Sequence, residues 1–431
     1  MLVDGRPEPI YALYAFLAAG IVAWVLVPLA ERIAWRIGAV DQPNERSLHA
    51  VPTPKLGGLA IFIGIGVALA LFLPWAEQSQ ALLVGAAVIT LVGVLDDVFD
   101  LPAGVKLAGQ VVAAAIPVFN GVTVGVFTLP FVGGVDLIGD PLFELPLAGE
   151  EVQVGELLTI VGIVAMINVI NLIDGIDGLA AGVCVISAAT MAVIALSLDR
   201  PGAGVLAALT AGGALGFLRH GFPPASSFMG DTGSNLLGYL LGAIAVQGAL
   251  KTNAVVALFF PLVVLAVPIL DTTFVIAKRI KYRQPVYRAD RWHFHHRMTN
   301  IGFSQRRTLA YLYGWALVMA GLALALRFVP YSDDAGNLDP AWTAVIAACV
   351  VTALAASFYL VITLEILKLR RVRGRQYAGA TGHRLPASEI DRGVARELET
   401  GSFEAIDPQT GERTTVDPET GEFEAVAGPD R

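Results

Sequence analysis

The stretch Asn168-Val-Ile-Asn171-Leu-Ile-Asp174-Gly-Ile-Asp177-Gly-Leu-Ala sets two carboxamides and two carboxylates between apolar runs. An ionisable group at such a place costs on the order of 3 kcal/mol unless it faces a cavity, a partner or water, so the stretch reads as a functional site. A polar turn would need Gly and Asp, but not four metal-capable side chains. Four other stretches carry residue types suited to chemistry: Asp41 to Gly58, Asp96 to Lys106, Phe228 to Asn235 and Asp290 to His296.

Each stretch has its own chemistry. Asp96-Asp97-Val-Phe-Asp100 offers adjacent carboxylates that can take a divalent cation or act as a base beside a phosphate. Lys106 is a point charge suited to phosphate, or alternatively an interfacial lysine that snorkels. In Phe228-Met-Gly230-Asp231-Thr-Gly233-Ser-Asn235 the glycines let backbone amides approach an anion at a helix start, and Asp231 supplies a hard oxygen for Mg²⁺. The same letters also spell an ordinary helix cap. Phe228 could stack on a base. Arg291, His293, His295 and His296 gather in a strongly basic loop, which suits phosphates better than zinc because no Cys lies nearby. Together these parts fit phosphoryl transfer at a bilayer surface, where positioning and charge neutralisation supply most of the catalysis.

The elements that must hold these residues are membrane helices. The chain has 431 residues, of which 55% are hydrophobic and 15% charged, against about 25% charged in soluble domains. Apolar runs fall at Ile10–Ala30, Gly57–Leu73, Ala81–Leu95, Val105–Phe119, Leu157–Ile170, Leu179–Leu198, Val205–Leu218, Gly233–Leu250, Ala254–Ile276, Leu309–Val329 and Trp342–Leu367. The expected fold is therefore an all-α polytopic membrane protein of about 11 transmembrane helices. The N-terminal segment lacks a basic n-region and a small-residue cleavage site, so the first run is expected to be a retained span.

Lys and Arg collect after the first, ninth and last runs, whereas Asn120 to Glu156 holds none. The positive-inside rule then places the N-terminus outside, the C-terminus in the cytoplasm, and all five polar stretches on the cytoplasmic face. The outer connection, with Val, Phe and Leu alternating with Gly and Pro, suits a short external β-hairpin.

Residues 1–375 are expected to form the transmembrane catalytic domain. Residues 376–431 form an acidic cytoplasmic tail in which Glu399-Thr-Gly-Ser-Phe-Glu-Ala recurs as Glu419-Thr-Gly-Glu-Phe-Glu-Ala. With few apolar residues to bury, the tail is expected to be disordered, and a cytoplasmic partner could dock there. Of the formal net charge of −8, nearly all sits in the tail, so acidity says little about the membrane body. Cys184 and Cys349 lie in apolar runs and read as buried thiols.

The ordered set Asp41-Gln-Pro-Asn-Glu-Arg46-Ser-Leu-His49, Pro52-Thr-Pro-Lys-Leu-Gly57-Gly58, Asp96-Asp97, Asn168 to Asp177, Gly230-Asp231-Thr-Gly-Ser and His293-Phe-His295-His296 resembles the motifs of the polyprenyl-phosphate N-acetylhexosamine-1-phosphate transferases. The resemblance covers about Asp41 to Arg307 in motifs and the helical body in topology. It implies transfer of HexNAc-1-phosphate from a UDP-sugar to a polyprenyl phosphate, giving polyprenyl-diphosphate-sugar and UMP.

Phe294 interrupts the three consecutive histidines usual in the branch that makes peptidoglycan lipid I. That departure, with the Pro-Thr-Pro-Lys-Leu-Gly-Gly segment, favours UDP-GlcNAc; lipid I synthesis is the alternative, and a transporter is the alternative of another class. The resemblance further implies Mg²⁺, or Mn²⁺ in its place, held by Asn171 and Asp231. It puts Asp96, Asp97 and Lys106 beside the lipid phosphate, and Asp174, Asp177, Phe228, Asn235 and Arg291 toward the nucleotide sugar. His293, His295 and His296 would contact phosphates. The partners implied are UDP-GlcNAc, a polyprenyl phosphate and the cytoplasmic membrane, with a homodimer left open and no nucleic-acid polymer.

Overall fold

The computed structural model describes residues 2–3, 6–43, 51–129, 133–137, 143–144, 151–249, a few positions between 263 and 276, 303–331, 339–359, 373–375, 377–378, 384–400, 403–406, 413–416 and 423–425. The chain divides into two compact units, residues 1–289 with 309–349 and residues 290–308 with 350–431.

In the first unit the helices are α1 (Ile10–Ile37), α2 (Gly57–Phe72), α3 (Glu77–Phe99), α4 (Ala103–Phe119), α5 (Val154–Ile173), α6 (Leu179–Ser197), α7 (Pro201–Gly221) and α8 (Gly230–Ala249), followed by α9 (Gln305–Phe328) from Leu309 and α10 (Pro340–Phe358) as far as Cys349. Seven helices among the described residues are long and apolar enough to cross a membrane, while α2 and α4 are shorter apolar helices. The chain is thus a helical polytopic membrane protein. The expected run Ala254–Ile276 lies almost wholly outside the described residues, as does the end of Trp342–Leu367.

The distribution of side-chain size explains the packing. On α1 the buried positions are Ala12, Ala15, Ala19, Ala23, Val27, Ala30 and Ala34, three or four residues apart. The large residues Leu13, Leu17, Ile21, Trp24 and Val25 point outward. Lipid is as apolar as leucine, so helices in a membrane associate through small residues that let backbones approach. Accordingly α1 packs on α7 and α2, and Gly212 and Gly216 of α7 lie so close to the α1 backbone at Phe16 and Gly20 that neither has room for a Cβ. Around the core, α8 packs on α5 and α3, and α4 lies against α3 and α5.

Short strands join the helices. β3 (Val40–Asp41) pairs with β4 (Thr53–Pro54), and within the connection from α4 to α5, β5 (Val126–Leu129) pairs antiparallel with β6 (Gly133–Asp136). The N-terminal pair is β1 (Leu2–Val3) and β2 (Arg6–Pro7); a further pair is β7 (Phe143–Glu144) and β8 (Glu151–Val152).

In the second unit the described residues of the tail form regular elements. Its described residues include α11 (Ala387–Thr400) and an antiparallel meander of β9 (Phe403–Ile406), β10 (Arg413–Val416) and β11 (Phe423–Ala425). The register pairs Thr415 with Glu404 on one side and Glu424 on the other. The physical reason is a ten-residue repeat. Thr-Gly recurs at 400–401, 410–411 and 420–421, each followed two residues later by a strand, and Asp-Pro opens the connections at 407 and 417. The middle copy, Arg-Thr-Thr-Val, shares turn letters but not strand letters with its neighbours, yet its β-branched residues favour the same extended backbone.

Candidate active site

The site is built where α3 and α5 end and α4 and α8 begin, at one end of the helical bundle. Asp96 and Asp97 close α3, Lys106 opens α4, Asn171 closes α5 and Asp231 opens α8. The ammonium of Lys106 stands between two carboxylates, 2.9 Å from Asp96 Oδ2 and ion-paired with Asp231 Oδ2. Asn171 Nδ2 donates to Asp231 Oδ1 at 2.7 Å and to Ser234 Oγ at 2.9 Å. Asp96 is held from behind, its Oδ1 accepting the Leu101 amide at 2.9 Å.

Asp97 has a different place. Its Oδ1 accepts the backbone N–H of Asp231 at 3.0 Å, and its Oδ2 accepts both the N–H and the hydroxyl of Thr232, at 3.0 and 2.7 Å. The first amides of a helix have no partner within it and are commonly capped by a side-chain oxygen nearby in sequence. Here a carboxylate from another helix does the capping. Gly230, with φ of 65°, turns the chain into α8; a Cβ there would strike the Asp97 carboxylate. The next amide, Gly233 N–H, is bonded to Met229 O at 3.1 Å. This corrects the reading of Gly230 to Gly233 as an anion cradle: the amides at the start of α8 already serve Asp97 and the preceding turn.

The loop before α8 is laid on the Pro52 to Gly58 segment. Phe228 N–H donates to Pro54 O at 2.8 Å, Gly57 N–H to Phe228 O at 2.9 Å, and Gly58 N–H to Met229 O at 3.0 Å. Asp177 holds the same loop from the other side, its Oδ2 accepting the Ala225 amide at 3.2 Å.

Asp174, in the turn after α5, is held well above the usual carboxylate range by withdrawal from solvent and then by the negative charges of Asp231, Asp97 and Asp177. The unfolded chain releases this proton first as pH rises, so the folded state binds the extra proton and loses stability above the ordinary carboxylate pKa. Asp174→Asn, which removes the charge and keeps the shape, is expected to raise the melting temperature by about 2 °C at pH 8 and by less at pH 5, as read by thermal unfolding in detergent. An equal gain at both pH values would refute the electrostatic origin.

The structure thus brings together Asp96, Asp97, Lys106, Asn171 and Asp231, with Asp174 and Asp177 in the adjoining turn and half-buried Phe228 on the loop. Asn235 falls elsewhere. It is fully buried on α8, one turn beyond Asp231, with neither amide atom hydrogen-bonded among the described residues. Arg291, His293, His295 and His296 lie outside the described residues.

Sequence reasoning missed three partners: Thr232, whose hydroxyl reaches Asp97; Ser234, bonded to Asn171; and Gln110, whose Oε1 accepts Asn168 Nδ2 at 2.7 Å. Gln110 was visible as an amide one turn after Lys106 inside an apolar run. Asn168 is thereby a structural residue joining α5 to α4.

The donor set fits a hard divalent cation. Among the described residues no group of three or more His, Cys, Asp or Glu forms a complete metal cage, but Mg²⁺ commonly binds through one or two carboxylates and fills its shell with water and phosphate. Asp231 and Asp96 face the same cationic position, and the hydrogen bonds of Asn171 Nδ2 make Oδ1 the amide atom that a cation would take.

Residues 79–249, which contain the whole described cluster, match the family described as glycosyl transferase family 4. Over 315 residues the chain is 38% identical to a probable undecaprenyl-phosphate N-acetylglucosaminyl 1-phosphate transferase of Bacillus subtilis (strain 168), covering 73% of this chain and 84% of the relative. A decaprenyl-phosphate N-acetylglucosaminephosphotransferase of Mycobacterium tuberculosis (strain ATCC 25618 / H37Rv) is 35% identical over 367 residues, 78% of this chain and 87% of the relative. A phospho-N-acetylmuramoyl-pentapeptide-transferase of Desulforudis audaxviator (strain MP104C) is 32% identical over 346 residues, 74% of this chain and 98% of the relative.

Proposed function

The chain belongs to glycosyl transferase family 4, and from that premise we propose that it transfers GlcNAc-1-phosphate from UDP-GlcNAc to a polyprenyl phosphate, releasing UMP. The observation that carries the reading is the Lys106 ammonium between Asp96 and Asp231, with Asn171 on the second Asp231 oxygen, where four helices of the bundle meet, α3 and α5 of them long and apolar enough to cross a membrane. A diphosphate and a lipid phosphate must be brought together there against their mutual repulsion. Fixed cations and a cation site at a bilayer surface answer that requirement.

In this reading Asn171 and Asp231 hold Mg²⁺, which when bound neutralises the diphosphate and polarises its phosphorus for attack. Lys106 neutralises the incoming phosphate and is itself oriented by Asp96. The lipid phosphate is largely anionic near neutral pH, since a phosphate monoester has its second pKa at about 6. It attacks the β-phosphorus directly; the bond to the bridging oxygen breaks and the electron pair leaves with UMP. No protein group has to take a proton first.

Asp174 and Asp177 line the nucleotide-sugar side with Phe228 near the base, while Arg291, His293, His295 and His296, which lie outside the described residues, keep the roles toward the nucleotide sugar and its phosphates that the sequence resemblance implies. The site faces the cytoplasm, where basic loops gather. The product is the lipid-linked sugar that starts an envelope polysaccharide.

Purified protein incubated with polyprenyl phosphate, Mg²⁺ and a panel of UDP-sugars is expected to release UMP with UDP-GlcNAc. Release with UDP-N-acetylmuramoyl-pentapeptide instead would replace this reading with lipid I synthesis. A separate test concerns the route: labelled UMP should not exchange into UDP-GlcNAc in the absence of lipid. Exchange without lipid would establish a covalent phosphosugar on an Asp and exclude direct attack.

A further inference from the structure

We propose that Asp97 is a positioning residue: its carboxylate clamps the first turn of α8 and thereby fixes Asp231 beside Lys106 and Asn171. The proposal rests on the transferase reading for its effect on turnover, but the clamp itself stands on geometry. Three donors converge on one carboxylate, two from backbone amides and one from a hydroxyl. One of those amides belongs to Asp231 itself.

An anion at a helix start also meets the positive end of the helix dipole, and charge-assisted bonds of this kind are roughly twice as strong as neutral ones. To act as a base toward a lipid phosphate, Asp97 would have to give up bonds that define where α8 begins. Its neighbour Asp96 points the other way, to Lys106 and the Leu101 amide. The adjacent carboxylates therefore divide the work, Asp96 orienting the cation and Asp97 the helix that carries the second carboxylate.

The surroundings fit a clamp. Thr232 is fully buried, so its hydroxyl can reach Asp97 but not a substrate. Gly93, one turn before Asp97 on α3, and Gly58 on α2 both lie against the backbone of this turn without room for a Cβ. The start of α8 is held on two faces by backbone contact and at its end by Asp97.

The test uses the full-length protein in detergent with two variants, Asp97→Asn and Thr232→Val, and their double. Asp97→Asn is expected to lower UMP release about 100-fold, the cost of a misplacement of around 1 Å at a reacting centre, while the pH dependence of kcat keeps its wild-type shape. Thr232→Val should lower it about 10-fold, and the double variant should be no worse than Asp97→Asn, because residues of one network do not act additively. Hydrogen exchange at the first amides of α8 should quicken in both single variants.

That exchange needs no substrate. If the wild type released no UMP with any sugar, the transferase reading would fail while exchange still decided the clamp. Two results would overturn the proposal: wild-type exchange at the start of α8 in both single variants, or loss of the acidic limb of the kcat profile in Asp97→Asn with Thr232→Val unimpaired, which would make Asp97 a base.

Discussion

Replacing Asp231 by Asn is expected to lower UMP release by about a thousandfold, the upper range for loss of one fixed charge-stabilising group at a reaction centre, with the fold intact. The substitution keeps size and shape and leaves an oxygen that can still accept the Asn171 amide. What it removes is the charge. Lys106 then has Asp96 as its carboxylate partner among the described residues, and the cation site loses its hard anionic ligand. The helix should not suffer, because the Asp231 backbone amide, not its side chain, carries the bond to Asp97. The Asp231 side chain is 27% exposed, so water can solvate the new amide. UMP release and thermal unfolding on the same preparation read the two effects separately; full activity would remove Asp231 from the site and with it the proposed function.

How much of this was legible in the sequence depends on the range of each interaction. The helices were legible because apolar runs announce themselves locally, and the polar stretches stood out because charge is costly in such surroundings. Lys106, Asp96 and Asp231 were each recognisable by type, but their convergence was not, since Lys106 and Asp231 are 125 residues apart. The cap of α8 was hidden for the same reason: Gly230-Asp231-Thr-Gly-Ser reads as a self-capped helix start or an anion cradle, whereas its cap comes from Asp97. The Pro52 to Gly58 segment was visible only as a motif, because it works through backbone hydrogen bonds to Phe228 and Met229 and through the close backbone approach at Gly58, and neither partner is announced by its side-chain chemistry. In the tail, identical strand letters make two copies of the repeat visible, while the spacing of Thr-Gly at 400, 410 and 420 marks a third between them.

That backbone role makes Gly58 a sharper probe than its lack of a functional group suggests. A Cβ built on Gly58 would overlap the backbone of Thr232 and Gly233, and backbone cannot swing aside as the end of a flexible side chain can. Gly58→Ala must therefore separate α2 from α8 or break the bond from Gly58 N–H to Met229 O, 3.0 Å in length. Overpacking of this kind costs about 1–3 kcal/mol, which the fold can absorb. The site cannot, because the residue displaced is the neighbour of Asp231, and a shift of around 1 Å there is expected to cost about 100-fold in turnover. Gly66→Ala, on the same helix, is the matched control: among the described residues its Cβ would meet only Leu83 Cδ1 at 3.7 Å, an ordinary contact, and activity should stay near wild type. If Gly58→Ala turned over like the control, α2 would not be what holds the start of α8 in place, and the precision of the carboxylate cluster would have to come from α3 and α5 alone.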